Sequence, residues 1–222
     1  MVAALDGPAG AGKSSVARQV AERAGFTFLN SGSFYRAVTW AVLARGLDPA
    51  DAAVVIATAR DLDLSLDGEG GVAVDGRSVE HFLRSDEIDA WVARHSAIPE
   101  VRAEVNRRLR DVAVGRDVVV DGRDIATVVF PDAEVKVYLD ADVATRARRR
   151  HAQGTSGMSL AEIERTIAER DRFDRAKPVA PLRVAPGALV LDTSHLTIEE
   201  VYARVLDAIR VKKLTLGDKR QV

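Results

Sequence analysis

A three-layer α/β/α sandwich on a five-stranded parallel sheet is the fold class this sequence predicts, and three observations predict it. Five short apolar runs alternate with segments of helical spacing, the rhythm of β-strands joined by crossover helices. The first run, Val2 to Leu5, passes directly into a glycine-rich turn and then a helical pattern, which is a strand-turn-helix unit. At 222 residues, with 47% apolar and 29% charged residues, the composition is that of an ordinary globular protein. A chain of this length buries roughly 70% of the surface its unfolded form exposes, enough for one core and a small subdomain. The expectation is a single domain over 1–222.

The turn carries the strongest signal. Gly7, Pro8, Ala9, Gly10, Ala11, Gly12, Lys13 and Ser14 fit the template G-x-x-x-x-G-K-[ST], and the apolar run before it supplies the buried strand such a loop needs. Its glycines permit backbone conformations closed to other residues, so successive N–H groups converge on a polyphosphate. In that reading Lys13 reaches the outer phosphates and the Ser14 hydroxyl contributes to a Mg²⁺ shell, with Ser15 beside it in the nucleotide site. The helix from Gly12 to Ala24 aims its positive end at the anion. The loop does not specify which nucleotide binds or what receives its phosphate.

The remaining elements follow in order. Phe26 to Leu29 reads as a second strand, ending in Asn30-Ser31-Gly32-Ser33, a turn able to cap a helix. The next helix, Phe34 to Arg45, carries Tyr35 and Arg36 on its first turn and core-facing Val38, Ala41 and Val42. Arg36 sits where a helix usually prefers acid, so it is either solvated or holding an anion. After the stop signal Gly46-Leu47-Asp48-Pro49, Ala50 to Ala59 reads as a helix, and Leu62 to Leu66 with Val72 to Val74 as a hairpin. Val79 to Val114 reads as helical with a break near Ile98-Pro99. Residues from about 60 to 95 thus interrupt the strand-helix rhythm and are expected to form an inserted subdomain.

The rhythm resumes at Asp117 to Val120, a buried parallel strand ending in Asp121-Gly122-Arg123-Asp124. Ligands of open α/β sheets gather at such strand ends. Val135 to Leu139 is a fourth strand, Ala141 to Ala152 an arginine-rich helix, Gln153 to Gly157 a loop, and Ser159 to about Asp174 a second charged helix. Leu189 to Leu191 makes the fifth strand and Thr197 to Val211 a closing helix, with 212–222 expected as a flexible tail.

Charge and cysteine content exclude several classes. Lys and Arg total 32 against 33 Asp and Glu, so no global field points to nucleic acid or membrane as partner. The chain contains no cysteine, which excludes disulfides and thiolate metal sites and agrees with a reducing cytosol. No apolar run approaches a membrane span and no leader precedes the first strand, so a cytoplasmic protein is expected; a monomer with small-molecule substrates, and no nucleic acid or membrane as partner, is the accompanying expectation. Histidines 81, 95, 151 and 195 lack ligand spacing.

Phosphoryl transfer needs positioning, charge neutralisation and exclusion of water more than covalent help, so arginines are the residues to seek. Arg36 and Arg102 lie near the insert, Arg123 follows the third strand of the main rhythm, and Arg146, Arg148, Arg149, Arg150, Arg165, Arg170, Arg172 and Arg175 flank the 153–158 loop. Acidic residues are interspersed in that last set. A lid over about 150–178 is therefore preferred to a solvated face, and either to a nucleic-acid patch. Asp121 and Asp124 read either as turn and cap residues or as groups that hold Mg²⁺ through water or bond a substrate amino group.

The segments GPAGAGKSSVA, SGSFYR, DGRDIATVVFPDAEVKVYLDA, ERDRFDRAKPVAPL and LVLDTSHLTIEEV resemble, in this order, the markers of bacterial cytidylate kinases, over nearly the whole chain to about residue 210. The resemblance implies a mobile lid, an insert over the monophosphate pocket, and ATP-dependent phosphorylation of CMP and dCMP. It implies that Ser31 and Arg36 sit in the monophosphate site, that Arg123 holds phosphate and Asp124 bonds the cytosine amino group. Arg102 would face the base, with Arg170, Asp174 and Lys177 near sugar and phosphates; Lys13, Arg123 and Arg170 would carry the catalysis. Asn30, Ala126, Ala93 and Lys177 depart from the family pattern. Ala93 lacks a hydroxyl donor and Lys177 the planar fork of arginine, which bears on discrimination among CMP, dCMP and UMP. A kinase of another monophosphate on the same fold, such as UMP, and a nucleotide-binding switch are the alternatives. No guanine-reading Asn-Lys-x-Asp motif is present.

Overall fold

The computed structural model of the chain describes residues 1–218 except 69, 153, 155, 156 and 178, and leaves out 219–222. The expected 153–157 loop and the end of the expected tail therefore fall largely outside the described residues. Two compact units emerge: Met1–Phe28 with Asp117–Val222, and Leu29–Arg116.

The first unit holds the main sheet apart from Leu29 and Asn30, the last two residues of its Thr27–Asn30 strand. Strands β1 (Val2–Asp6), β2 (Thr27–Asn30), β6 (Val118–Asp121), β7 (Val135–Asp140) and β8 (Leu189–Asp192) lie in the order β2-β6-β1-β7-β8. β1 pairs in parallel with β6 and β7, and β7 with β8. Leu5 is opposite Asp121 and Asp140 opposite Asp192, so the aspartates that end β1, β6, β7 and β8 gather along the carboxyl edge of the sheet. All five strands fall where the apolar runs predict them. β6 reads Val-Val-Val because it is buried throughout, while β8, an edge strand, leaves Leu189 and Val190 exposed.

Helices α1 (Lys13–Ala24) and α8 (Ile198–Asp218) cover one face. Val16, Val20, Val201, Val205 and Ile209 close over Val119, Val137, Leu139 and Leu191 in one apolar cluster. The helical apolar spacing of both segments exists to build this layer. α8 runs to Asp218, past the expected end at Val211. The added turns are anchored by Lys213, whose ammonium lies over the Phe26 ring and 3.8 Å from Asp117. The expected flexible tail from 212 is thus helical as far as it is described.

Helices α6 (Val143–Ala152) and α7 (Leu160–Ala176) pack on each other through Ala147, Ile163 and Ile167. Ser159 starts α7 with a reciprocal capping box to Glu162.

The second unit is larger than the expected insert of about 60–95. It comprises α2 (Ser31–Ala44), α3 (Ala52–Asp61), α4 (Asp86–His95), α5 (Pro99–Ala113) and a sheet of β3 (Leu64–Leu66), β4 (Val72–Val74) and β5 (Arg77–Ser78). The expected hairpin gains a third strand, and the expected Val79–Val114 helix resolves into a 3₁₀ turn at Glu80–Phe82, α4 capped by Ser85, and α5 opened by Pro99. α2 starts at Ser31, earlier than expected, because the Asn30 side chain accepts from the Ser33 N–H. His95 is a core residue: one ring nitrogen meets the Thr39 hydroxyl and the other the Pro49 carbonyl, both at 2.9 Å.

Candidate active site

The turn after β1 has the shape its sequence demands. Gly7 has φ +146°, and a Cβ there would lie 2.0 Å from the Leu139 carbonyl oxygen, so only glycine lets β1 turn while staying paired to β7. α1 begins without a side-chain cap and without acid in its first turn. Its first N–H groups are left for an anion to satisfy.

Lys13 is 5% exposed, and its ammonium donates to the Pro8 carbonyl at 2.8 Å. Burial, seconded by the repulsion of Arg123 and Arg170, lowers its pKa to about 7 against the pull of Asp121 and Asp6. The Ser14 hydroxyl donates to the Asp121 carboxylate at the end of β6.

Asp6, the last residue of β1, organises the Gly122–Phe130 segment, a role the sequence did not reveal. Its two carboxylate oxygens accept from the N–H groups of Ile125 and Ala126 at 2.8 Å each. Those groups open a π-helical turn over Ile125–Val129 and have no partner within it. Asp6 therefore fixes the turn directly behind Arg123 and Asp124. Burial raises its pKa to about 6, with Asp124 adding repulsion and the two N–H donors opposing.

Asp174 of α7 collects three cations. Lys177 Nζ is at 2.7 Å, Arg123 Nε at 3.3 Å and Arg170 Nε at 4.0 Å. Burial pushes its carboxyl up, but Arg123, Lys177 and Arg170 outweigh that and hold it below the usual carboxylate range. The structure thus brings together, within the first unit, Lys13, Ser14, Asp121, Arg123, Asp174, Arg170 and Lys177. Asp124 is buried at the start of the π turn.

Ser31, Arg36 and Arg102 belong to the second unit. Ser31 is buried in the first turn of α2. The Arg36 guanidinium donates to the Leu83 carbonyl at 2.8 Å and pairs with Asp89 of α4, which resolves the choice between a solvated and an engaged arginine. Arg102 of α5 lies over the Tyr35 ring, 5.4 Å from its centre, and donates to the Ser96 carbonyl at 3.0 Å. Tyr35 is held in turn by its hydroxyl, 3.3 Å from Asn106 Oδ1.

The expected lid arginines divide. Arg146 is 1% exposed and paired with Asp171, and Arg149 donates to the Thr193 carbonyl at 2.6 Å. These two face the body of the unit, so the dense arginine set is not all available to a ligand. Arg170 remains half-exposed beside Asp174.

Among the described residues no group of three or more His, Cys, Asp or Glu is arranged to hold a metal ion. No helix among the described residues is long and apolar enough to cross a membrane.

A parallel α/β sheet opened by a phosphate loop, with an open helix N-terminus and a buried lysine behind it, is the architecture of phosphate-loop nucleotide-binding proteins. Comparison with known proteins narrows this. The family model described as cytidylate kinase matches residues 3–211. A cytidylate kinase of Caldanaerobacter subterraneus subsp. tengcongensis is 44% identical over 97% of this chain and 96% of its own length. One of Mycobacterium leprae is 42% identical over 95% of this chain and 96% of its own. A bifunctional pantoate ligase/cytidylate kinase of a Synechococcus strain is 44% identical over 93% of this chain, which spans 40% of that longer protein. The chain belongs to the cytidylate kinase family. In fold alone, it is similar to the crystal structure of an uncharacterized protein from Eubacterium ventriosum, with a TM-score of 0.56 at 10% identity, over 95% of this chain and 98% of that one.

Proposed function

We propose that this chain transfers the γ-phosphoryl group of ATP to the phosphate of CMP or dCMP, giving the nucleoside diphosphate and ADP. The observation that carries the reading is the Gly7–Ser14 loop, with the uncapped N-terminus of α1 and the buried Lys13 at its centre. The loop backbone and Ser15 hold the donor, and Lys13 neutralises its outer phosphates. Donor phosphates beside Lys13 restore the full charge that burial depletes.

Mg²⁺ fits the residues present. A hydroxyl bonded to one carboxylate, Ser14 with Asp121, suits an ion that keeps several waters and takes its other oxygens from the nucleotide. When bound, it neutralises charge on the donor phosphates.

Ser31, Arg36 and Arg123 take the acceptor phosphate, Asp124 the cytosine amino group and Arg102 the base, with Arg170, Asp174 and Lys177 at sugar and phosphates. The acceptor phosphate is already ionised, so its oxygen attacks in line without a general base, and Arg123 and Arg170 spread the charge of the transferring group. The segment of about 150–178 closes as a lid and excludes water. The protein is a cytoplasmic monomer. Coupled ADP detection across CMP, dCMP, UMP and AMP tests the assignment. Turnover should depend on the acceptor and favour the cytidylates; ATP consumption indifferent to acceptor, or highest with AMP, would refute it.

A further inference from the structure

Arg146 and Arg149 lie on one face of α6; Arg146 reaches the phosphate loop directly and Arg149 through Thr193. A loop that turns its N–H groups toward an anion turns carbonyls away from it, and buried carbonyls need partners. Arg146 Nη1 donates to the Ala9 carbonyl at 3.1 Å. The Ala11 carbonyl accepts from the Thr193 hydroxyl at 3.3 Å, and that hydroxyl accepts from Arg149 Nη1 at 3.0 Å. Between them, Gly10 brings the backbone so close that an added Cβ would lie 3.1 Å from Arg146 Cβ. The rest of the Arg146 fork is fixed: Nε donates to Ala141 at 2.8 Å, and Nη1 and Nη2 meet the two oxygens of Asp171. Asp171 sits on α7 between Arg170 and Asp174 in sequence.

We propose that Arg146 is a positioning residue that couples the two ends of the reaction: by holding the Ala9 carbonyl and Asp171 together, it sets the shape of the phosphate loop and the register of α7 as one unit. The inference rests on the donor-site reading of the Gly7–Ser14 loop. A buried ion pair is by itself weak grounds for a role, because apolar residues of similar volume often replace one without loss. The third partner, the loop carbonyl, gives this pair its purpose. Only a planar fork with several fixed donors reaches all three acceptors; a lysine ammonium opposite Asp171 cannot also span to Ala9.

Two variants of the full chain test this, in steady-state assays varying ATP and CMP separately, with melting temperatures recorded without nucleotide. Arg146→Lys keeps a cation for Asp171 and gives up Ala9. It should raise KM for ATP about tenfold or more, as expected for loss of one charge-assisted hydrogen bond, while KM for CMP stays near wild type. Arg146→Met combined with Asp171→Leu removes both charges and should raise both KM values. ATP KM within about twofold of wild type in both variants would overturn the proposal. So would losses that follow the melting temperature and vanish in a cooler assay, the mark of a purely structural role. Lys13→Ala measured alongside separates the failures. If it is crippled while the Arg146 variants are normal, the coupling alone is wrong; if it too is normal, the donor-site reading falls and the coupling with it.

Discussion

The phosphate loop and the region around Arg36, proposed above to take the donor and the acceptor, are prepared in opposite ways. In the loop, backbone N–H groups at an uncapped helix start are left for a ligand, while three carbonyls behind them are occupied: Pro8 by Lys13, Ala9 by Arg146 and Ala11 by Thr193. In the second unit the cations expected to meet the acceptor are themselves engaged. Arg36 is bonded to Leu83 and Asp89, and Arg102 to Ser96 over the Tyr35 ring. The donor loop takes its ordering cost at folding. On the proposed assignment the acceptor side would take part of its cost at binding, because an incoming phosphate would compete with contacts already made. A fixed donor site and an exchanging acceptor site predict different responses to mutation.

The largest effect should come from the fixed side. Lys13→Ala is expected to lower kcat on the order of 10²-fold or more, by analogy with loss of a preorganised electrostatic donor; near-normal kcat would remove the loop from the chemistry. Next, Asp124→Ala should cut kcat/KM for CMP about ten- to a hundredfold, as for loss of a hydrogen bond to a charged group, with a smaller loss for UMP. Equal losses with both acceptors would deny it a base-reading role.

Proton linkage offers a third comparison. The Lys13 pKa is lowered from 10.5 to about 7, so between those values the unfolded chain binds the extra proton and this residue's contribution makes stability rise with pH. Donor phosphates reverse the shift, so ATP binding above about pH 7 should take up as much as about one proton. Calorimetry in two buffers of different ionisation enthalpy reads this directly, and Lys13→Arg should abolish it. The smallest effect belongs to the exchanging side. Releasing Arg36 with Asp89→Asn should lower KM for CMP by up to about fivefold, the range of a partly exposed ion pair. An increase in that KM would mean Asp89 aims Arg36 rather than restraining it.

The sequence made the main sheet legible because each strand is a short, Val- or Leu-rich run and Gly7 to Ser14 fixes where the first one ends. The extent of the second unit was not legible. The apolar face of α2 reads the same whether it packs on the main sheet or on α3 and α4, and periodicity does not name the partner. The arginines teach the same lesson at the level of one side chain. Arg146, Arg149 and Arg170 are alike in a string of letters, yet the first is buried on a carboxylate, the second bonded to a strand-end threonine, and the third half-exposed. Charge patterning detects a cation and says nothing of which way it points. Asp6 was missed although it directly precedes Gly7, since a carboxylate ending a strand is common and its partners lie more than a hundred residues away.

The contacts of Asp117 carry one more consequence. Its carboxylate receives the amino group of Met1 at 2.7 Å and stands 3.8 Å from Lys213 of α8, so the first residue and the last helix meet at the border where β1 and β6 begin. The nucleotide-gripping turn lies at the far border, where those strands finish. A substitution at Asp117 would therefore loosen the start of β1 and the last turns of α8 together, at the border away from the turn after β1.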